Sequence, residues 1–309
     1  MNRLITTILM LLLFQGLYSQ HLFTDRSAKR GEILNAYVYP ADDIRTSRFS
    51  LIDSSGRIVA VSDGFSMVES EKVIIAATLG IPSDIEPGKY TLKVFCETEQ
   101  GSDQFTKPFF VSPRDFIEMD IPLNGDMTNL RTSEDPRKAE QSRELWALLS
   151  SFDGEAQYYC GRFISPVEEY FESAFFGDRR RYLYSDGSVS QSLHTGSDLA
   201  APVGEPVYAP AEGKVVMAQM RILTGNTIVI EHLPGVYTLY YHLDKIDVQL
   251  EEMVKQGEKI GDVGKTGLVT GAHLHWELRV SGIPADPLRY MEVPLIDKEE
   301  IMDIIESIH

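Results

Sequence analysis

The stretch Gly271-Ala-His-Leu-His-Trp-Glu-Leu-Arg-Val280 alternates without a break from His273 onward. His273, His275, Glu277 and Arg279 fall on one side, and Leu274, Trp276, Leu278 and Val280 on the other. Only an extended strand turns a period of two into two faces. One face suits a core; the other sets two imidazoles, a carboxylate and a guanidinium side by side. This commits the C-terminal half to a half-buried β-sheet. The chain has seven histidines, so two at this spacing direct the search to partners: His194 and Asp198 upstream, and His242 between.

With 309 residues the chain is long enough for two ordinary domains, each expected to have its own core. A net charge of −17 argues against nucleic acid or an anionic membrane as an electrostatic partner. Arg3, the apolar run 4–14 and the small residue Ser19 read as a secretory signal peptide over 1–19. The run is shorter than the roughly 20 residues that span a bilayer, so no stable membrane span is expected after cleavage. The protein is therefore expected outside the cytoplasm, in the periplasm, the cell envelope or the medium. Export permits a disulfide, but Cys96 and Cys160 lie far apart in sequence and suit two unpaired thiols at least as well.

Over 24–113, short alternating runs at 33–39, 48–52, 57–61, 72–79, 90–97 and 105–111 predict strands, with Asp53-Ser-Ser-Gly56 and Pro87-Gly88 as turns. This spacing suggests an immunoglobulin-like β-sandwich. It carries no histidine or ligand-spaced carboxylates, so it is expected to position or bind something, or to act as a spacer, with no partner identified. Residues 114–160 read as a helical connector. Asp135-Pro136 starts a helix, Leu145, Leu148, Leu149 and Phe152 share a face, and Gly154 can end it. Trp146 is expected to serve that packing. Residues 161–291 form a second, mainly antiparallel β domain, opened by the run Arg179-Arg180-Arg181, which reads as an anion site or a solvated turn. Residues 292–309 read as a C-terminal docking helix with Ile301, Ile304, Ile305 and Ile308 near one face.

A catalytic zinc site takes three protein ligands and leaves the fourth position to water. His194 and Asp198, four residues apart across a Thr-Gly turn, offer a nitrogen and an oxygen, and one histidine of the His273-Leu274-His275 pair would complete the set. The other histidine and His242 would then be free for acid–base work and oxyanion stabilisation. Taken singly, each has a plain structural reading; four sites in one domain, in this order, do not.

Residues 175–287 resemble the lysostaphin/LytM-type zinc metallopeptidases, which cleave the peptide part of bacterial peptidoglycan. The matching segments are His194-Thr-Gly-Ser-Asp198-Leu-Ala-Ala-Pro202, Gly204-Glu-Pro-Val207-Tyr-Ala209, Glu212-Gly213-Lys-Val215, Tyr240-Tyr-His242-Leu243, Gly264-Lys-Thr-Gly267, Thr270-Gly271-Ala-His273-Leu-His275-Trp-Glu277 and Gly282-Ile-Pro284-Ala-Asp286-Pro287. The resemblance implies one Zn2+ held by His194, Asp198 and His275, with His242 and His273 as catalytic histidines, their division of labour open. It implies peptidoglycan peptides as substrate; His232, in Ile230-Glu-His232, also recurs in such proteins and is expected to have a structural role at a turn. Val269, Ala272 and Ala285 depart from the usual serine, proline and valine, and are expected to alter the groove wall or substrate preference. A catalytically silent wall-binding or regulatory protein on the same fold is the alternative, but such relatives typically have lost ligands or catalytic histidines that are all present here. Latency through Asn124 or Asn129 of the connector is a further expectation to test.

Overall fold

The computed structural model describes residues 20–308, so the export segment expected over 1–19 lies outside the described residues. The N-terminal region folds into two facing sheets. The first runs His21–Thr24, Ile33–Tyr39, Lys72–Gly80, Phe65–Glu69; the second runs Ser27–Lys29, Ser102–Ser112, Gly88–Thr98, Ile44–Ile52, Ile58–Asp63. Every strand expected here forms. Three more, His21–Thr24, Ser27–Lys29 and Phe65–Glu69, lie at sheet edges, where a short segment paired on one side needs little alternation of its own. Leu34, Ala36, Val38, Ile75 and Ala77 of the first sheet meet Phe49, Leu51, Leu92, Val94 and Phe109 of the second in one core.

The two halves do not keep separate cores, contrary to the expectation from length. Ile33, Tyr37, Ile74 and Ala76, on the opposite face of the first sheet, pack in a common cluster with Trp276, Leu278 and Val280. Burial on both faces explains why 73–79 reads Val-Ile-Ile-Ala-Ala-Thr-Leu with almost no polar break. Polar ties cross the same boundary: the Ile33 amide donates to Tyr290 Oη at 2.7 Å, and Asn35 Nδ2 donates to the Leu295 carbonyl at 2.7 Å. The sandwich is thus a packed backing for the C-terminal half.

The main C-terminal sheet runs Phe171–Ala174, Gly196–Ala200, Leu274–Val280, Val236–Leu243, Gly225–Leu233, Gly213–Arg221, Met253–Val254, with Ile283–Ala285 beside Leu274–Val280. The histidine-bearing strand is therefore interior. Leu274, Trp276, Leu278 and Val280 are completely buried in the core. Lys298–Glu306 forms the C-terminal helix, capped by Asp297 accepting from the Glu300 amide, and seats Ile301 and Ile305 in that core.

The connector holds more than the one expected helix. A strand, Glu118–Pro122, and a helix, Gly125–Thr132, precede the helix Pro136–Leu149. The latter starts as expected, with Asp135 accepting from the Arg137 amide, and Leu145, Leu148 and Leu149 pack on Met217, Val229 and Tyr237. Trp146 departs from expectation: it is 61% exposed. Cys96 and Cys160 are both free. Among the described residues no helix is long and apolar enough to cross a membrane.

Candidate metal centre and groove

Asp198 and His275 are direct cross-strand partners in the antiparallel pair of Gly196–Ala200 and Leu274–Val280. Such partners have Cβ atoms about 5 Å apart, close enough for both side chains to reach one point. His194 enters from the turn just before the first of these strands. Asp198 Oδ1 lies 3.0 Å from His194 Nε2 and 2.7 Å from His275 Nδ1, and the two ring nitrogens are 3.0 Å apart. All three residues are buried.

Outer partners fix the ring protons. His194 Nδ1 faces the Phe175 carbonyl at 2.7 Å, a pure acceptor, so the proton sits there and Nε2 turns its lone pair inward. His275 Nε2 faces Glu277 Oε1 at 2.9 Å, which leaves the lone pair on Nδ1. Three acceptors thus converge with no donor among them, an arrangement that repels itself unless a cation occupies the centre. Two imidazoles and a carboxylate suit zinc. A proton can stand in for such a cation: burial opposes charge on His275, yet hydrogen bonds to Asp198 and Glu277 lift it to about 9. Burial works against ionisation of Asp198 too, but the imidazoles of His194 and His275 beside it hold it well below the usual carboxylate range.

His242 and His273 stand beside this cluster with their rings 5.0 Å apart. His273 Nε2 is 3.6 Å from Asp198 Oδ1. Each donates Nδ1–H to a backbone carbonyl, His242 to Thr266 at 2.8 Å and His273 to Gly271 at 3.0 Å, so each carries its lone pair on Nε2. Burial, with the adjacent imidazoles of His273 and His275, pushes His242 down to about 3. Burial also lowers His273, against the pull of Asp198. Both are neutral near pH 7. His242 has a left-handed backbone, φ 64°, at a break in the register between Gly225–Leu233 and Val236–Leu243. Bulges of this kind re-aim a side chain and recur beside active sites.

The structure brings together all five residues expected at the site. His232 is elsewhere: it is buried between the Glu212 carbonyl and Thr238, inside a strand rather than at a turn. Asn124 caps the helix Gly125–Thr132 by accepting from the Met127 amide, and Asn129 is exposed on that helix, so neither supplies the expected latency contact. Val269 and Ala272 line the groove, as expected; Ala285 is completely buried in the core instead.

Residues not singled out beforehand complete the site. Glu277 accepts from Thr195 Oγ1 at 2.7 Å and from Arg279 Nε at 2.6 Å while holding His275. Tyr241 stacks on His275 with rings 5.2 Å apart and 6° from parallel. The alternation His275, Glu277, Arg279 carried the first of these signals. The arginine run is a strand rather than a turn. Arg179–Leu183 is the middle strand of a small sheet, parallel to Glu118–Pro122 and antiparallel to Val189–Leu193. Alternation gives its arginines separate tasks: Arg179 binds the Ser83 and Gly177 carbonyls, Arg181 pairs with Asp120, and Arg180 reaches Asp198. This sheet, with Met119, Ile121 and Tyr182, forms one wall of an open groove of about 560 Å³ that has the histidines on its floor.

The model of peptidase family M23 matches residues 192–287. Peptidoglycan DD-endopeptidase ShyB of Vibrio cholerae is 45% identical over 96 residues, covering 31% of this chain and 22% of that protein. DD-carboxypeptidase/endopeptidase Mpg of Neisseria meningitidis is 48% identical over 96 residues, again covering 31% and 22%. The chain spans about a fifth of the length of these curated relatives. A Pseudomonas aeruginosa crystal structure assigned to peptidase M23 superposes with a TM-score of 0.54 at 24% identity, covering 84% of this chain and 92% of its own, a likeness of fold. The geometry and these matches lead to one conclusion: residues 192–287 of this chain are a peptidase family M23 domain.

Proposed function

We propose that the protein is a zinc-dependent endopeptidase that hydrolyses peptide bonds in peptidoglycan cross-links or stem peptides. The observation that carries the reading is the convergence of His194 Nε2, Asp198 Oδ1 and His275 Nδ1, with the outer ring nitrogens of both histidines held by acceptors. These atoms would hold one zinc ion. When bound, zinc supplies Lewis acidity to a carbonyl oxygen and to a water.

The chain's own residues do the rest. His242 and His273 present unprotonated Nε2 atoms to the groove, anchored by Nδ1–H bonds to backbone. A neutral imidazole held this way can accept a proton from an attacking water. Having accepted it, the same nitrogen becomes a donor, able to hydrogen-bond a developing oxyanion or return the proton to the leaving amine. Which of the two takes the proton first is left open by their like anchoring. Glu277 fixes the His275 ring, and Arg279 and Thr195 fix Glu277. The open groove admits an extended peptide, and the relatives named as peptidoglycan endopeptidases support the substrate class. A wall substrate in turn supports a location in the cell envelope, reached through the export segment read at 1–19.

Purified sacculi test the reading. Muropeptide release is expected, abolished by a chelator and restored by zinc, and mass spectrometry of the products identifies the bond. No release under any condition, or release insensitive to chelation, would overturn it.

A further inference from the structure

The two oxygens of Asp198 are divided. Oδ1 faces His194 and His275, while Oδ2 accepts from Arg180 Nη2 at 2.6 Å. The pair is nearly desolvated, with side chains 13% and 10% exposed. Arg180 itself lies outside the matched family segment, and its strand is held by Met119 of Glu118–Pro122 on one side and Ser192 of Val189–Leu193 on the other. Glu277 repeats the same division, with Oε1 on His275 and Oε2 on Arg279.

We infer that Arg180 is a positioning residue that keeps Asp198 a one-oxygen ligand; this rests on the metal reading proposed above. A carboxylate beside a divalent ion can offer one oxygen or both. Taking both would add a fifth donor beside the water that completes a catalytic zinc site, crowding the position where water and substrate must sit. A charge-assisted hydrogen bond from a guanidinium is strong enough to hold one oxygen back. Arg180 also lines the groove, and its hydrogen bond to Asp198 Oδ2 is the contact that gives it this role.

Cobalt(II) substitution reads the coordination number directly, because four-coordinate cobalt absorbs visible light several-fold more strongly than five-coordinate cobalt. Three variants of the full chain are compared: Arg180→Met, of similar length without donors; Arg180→Lys, which restores one charged donor; and Arg181→Met, next door but paired to Asp120 on the other face. Wild type, Arg180→Lys and Arg181→Met should give the intense spectrum. Arg180→Met should give one several-fold weaker, with kcat on sacculi down roughly 10–100-fold and KM little changed. Melting temperatures of the four proteins separate this from misfolding. An Arg180→Met spectrum superimposable on wild type, or an equal change in Arg181→Met, overturns the inference. A wild-type chain that takes up neither cobalt nor zinc removes the metal reading itself, and the inference with it.

Discussion

The N-terminal sandwich and the C-terminal sheet share a packed boundary but bury opposite kinds of side chain. Among the described residues, the buried polar groups of the sandwich are Ser47, Ser62, Thr78 and Ser83, all uncharged. The C-terminal half buries Asp198, Arg221, Glu231, Glu277 and the histidines His194, His232, His242 and His275. Burying a charge is costly unless it is paired or holds a metal. The interior of the sandwich is therefore apolar packing with uncharged polar groups. The second region accepts unfavourable burial wherever chemistry requires a fixed, dry polar group.

The sharpest way to break this contrast is to remove a ligand. His194→Ala or His275→Ala should leave the protein without zinc and reduce hydrolysis to background, as read by metal analysis and sacculus digestion. Retention of a full equivalent of zinc in either variant would show the ligand set to be wrong. His242→Ala and His273→Ala should keep zinc yet lose on the order of 10²–10⁴ in kcat, the range of a lost general acid or base. If these variants lost metal as the first pair do, ligands and catalytic histidines could not be told apart, and the division would fail.

Substitution in the sandwich should do the reverse. Phe49 is completely buried between the two sheets. Phe49→Ala should cost about 3–5 kcal/mol in denaturant unfolding, with kcat unchanged while the protein stays folded. A large drop in kcat without loss of stability would mean that the sandwich contributes to the reaction.

Acid provides the mildest probe. Burial lowers His232 to about 4, although the Glu212 carbonyl favours its proton. The unfolded chain takes up that proton near pH 6.5 and the folded chain does not, so stability is fully present above about 6.5 and is lost as pH falls to about 4. The loss amounts to at most about 3 kcal/mol from this one group. His232→Asn should flatten that part of the stability profile, whereas a phosphate-free pH titration with unchanged slope would exclude His232 as its source.

Alternation made much of this legible in the sequence. Leu274–Val280 has its two faces as expected, and the sandwich strands with clear alternation all form. The strand Glu118–Pro122 escaped because Glu-Met-Asp-Ile-Pro is short and mostly polar, and its partner is the distant Arg179–Leu183. For the same reason Arg180 could not be joined to Asp198 from sequence: the link depends on a parallel pairing across the connector. The shared core was hidden as well. An uninterrupted apolar strand shows burial on both faces without naming the second neighbour.

The left-handed backbone of His242 has a consequence for how the protein can change. Glycine occupies such a conformation without strain, whereas a histidine held there costs on the order of 1 kcal/mol. Here local stability and catalysis pull in opposite directions. His242→Gly would relax the main chain at the bulge while deleting the imidazole, so part of the packing loss should be recovered relative to His242→Ala, with no recovery of turnover. Selection for stability alone would erode the site at this residue; under the proposed function, the demand for hydrolysis is what keeps a side chain there.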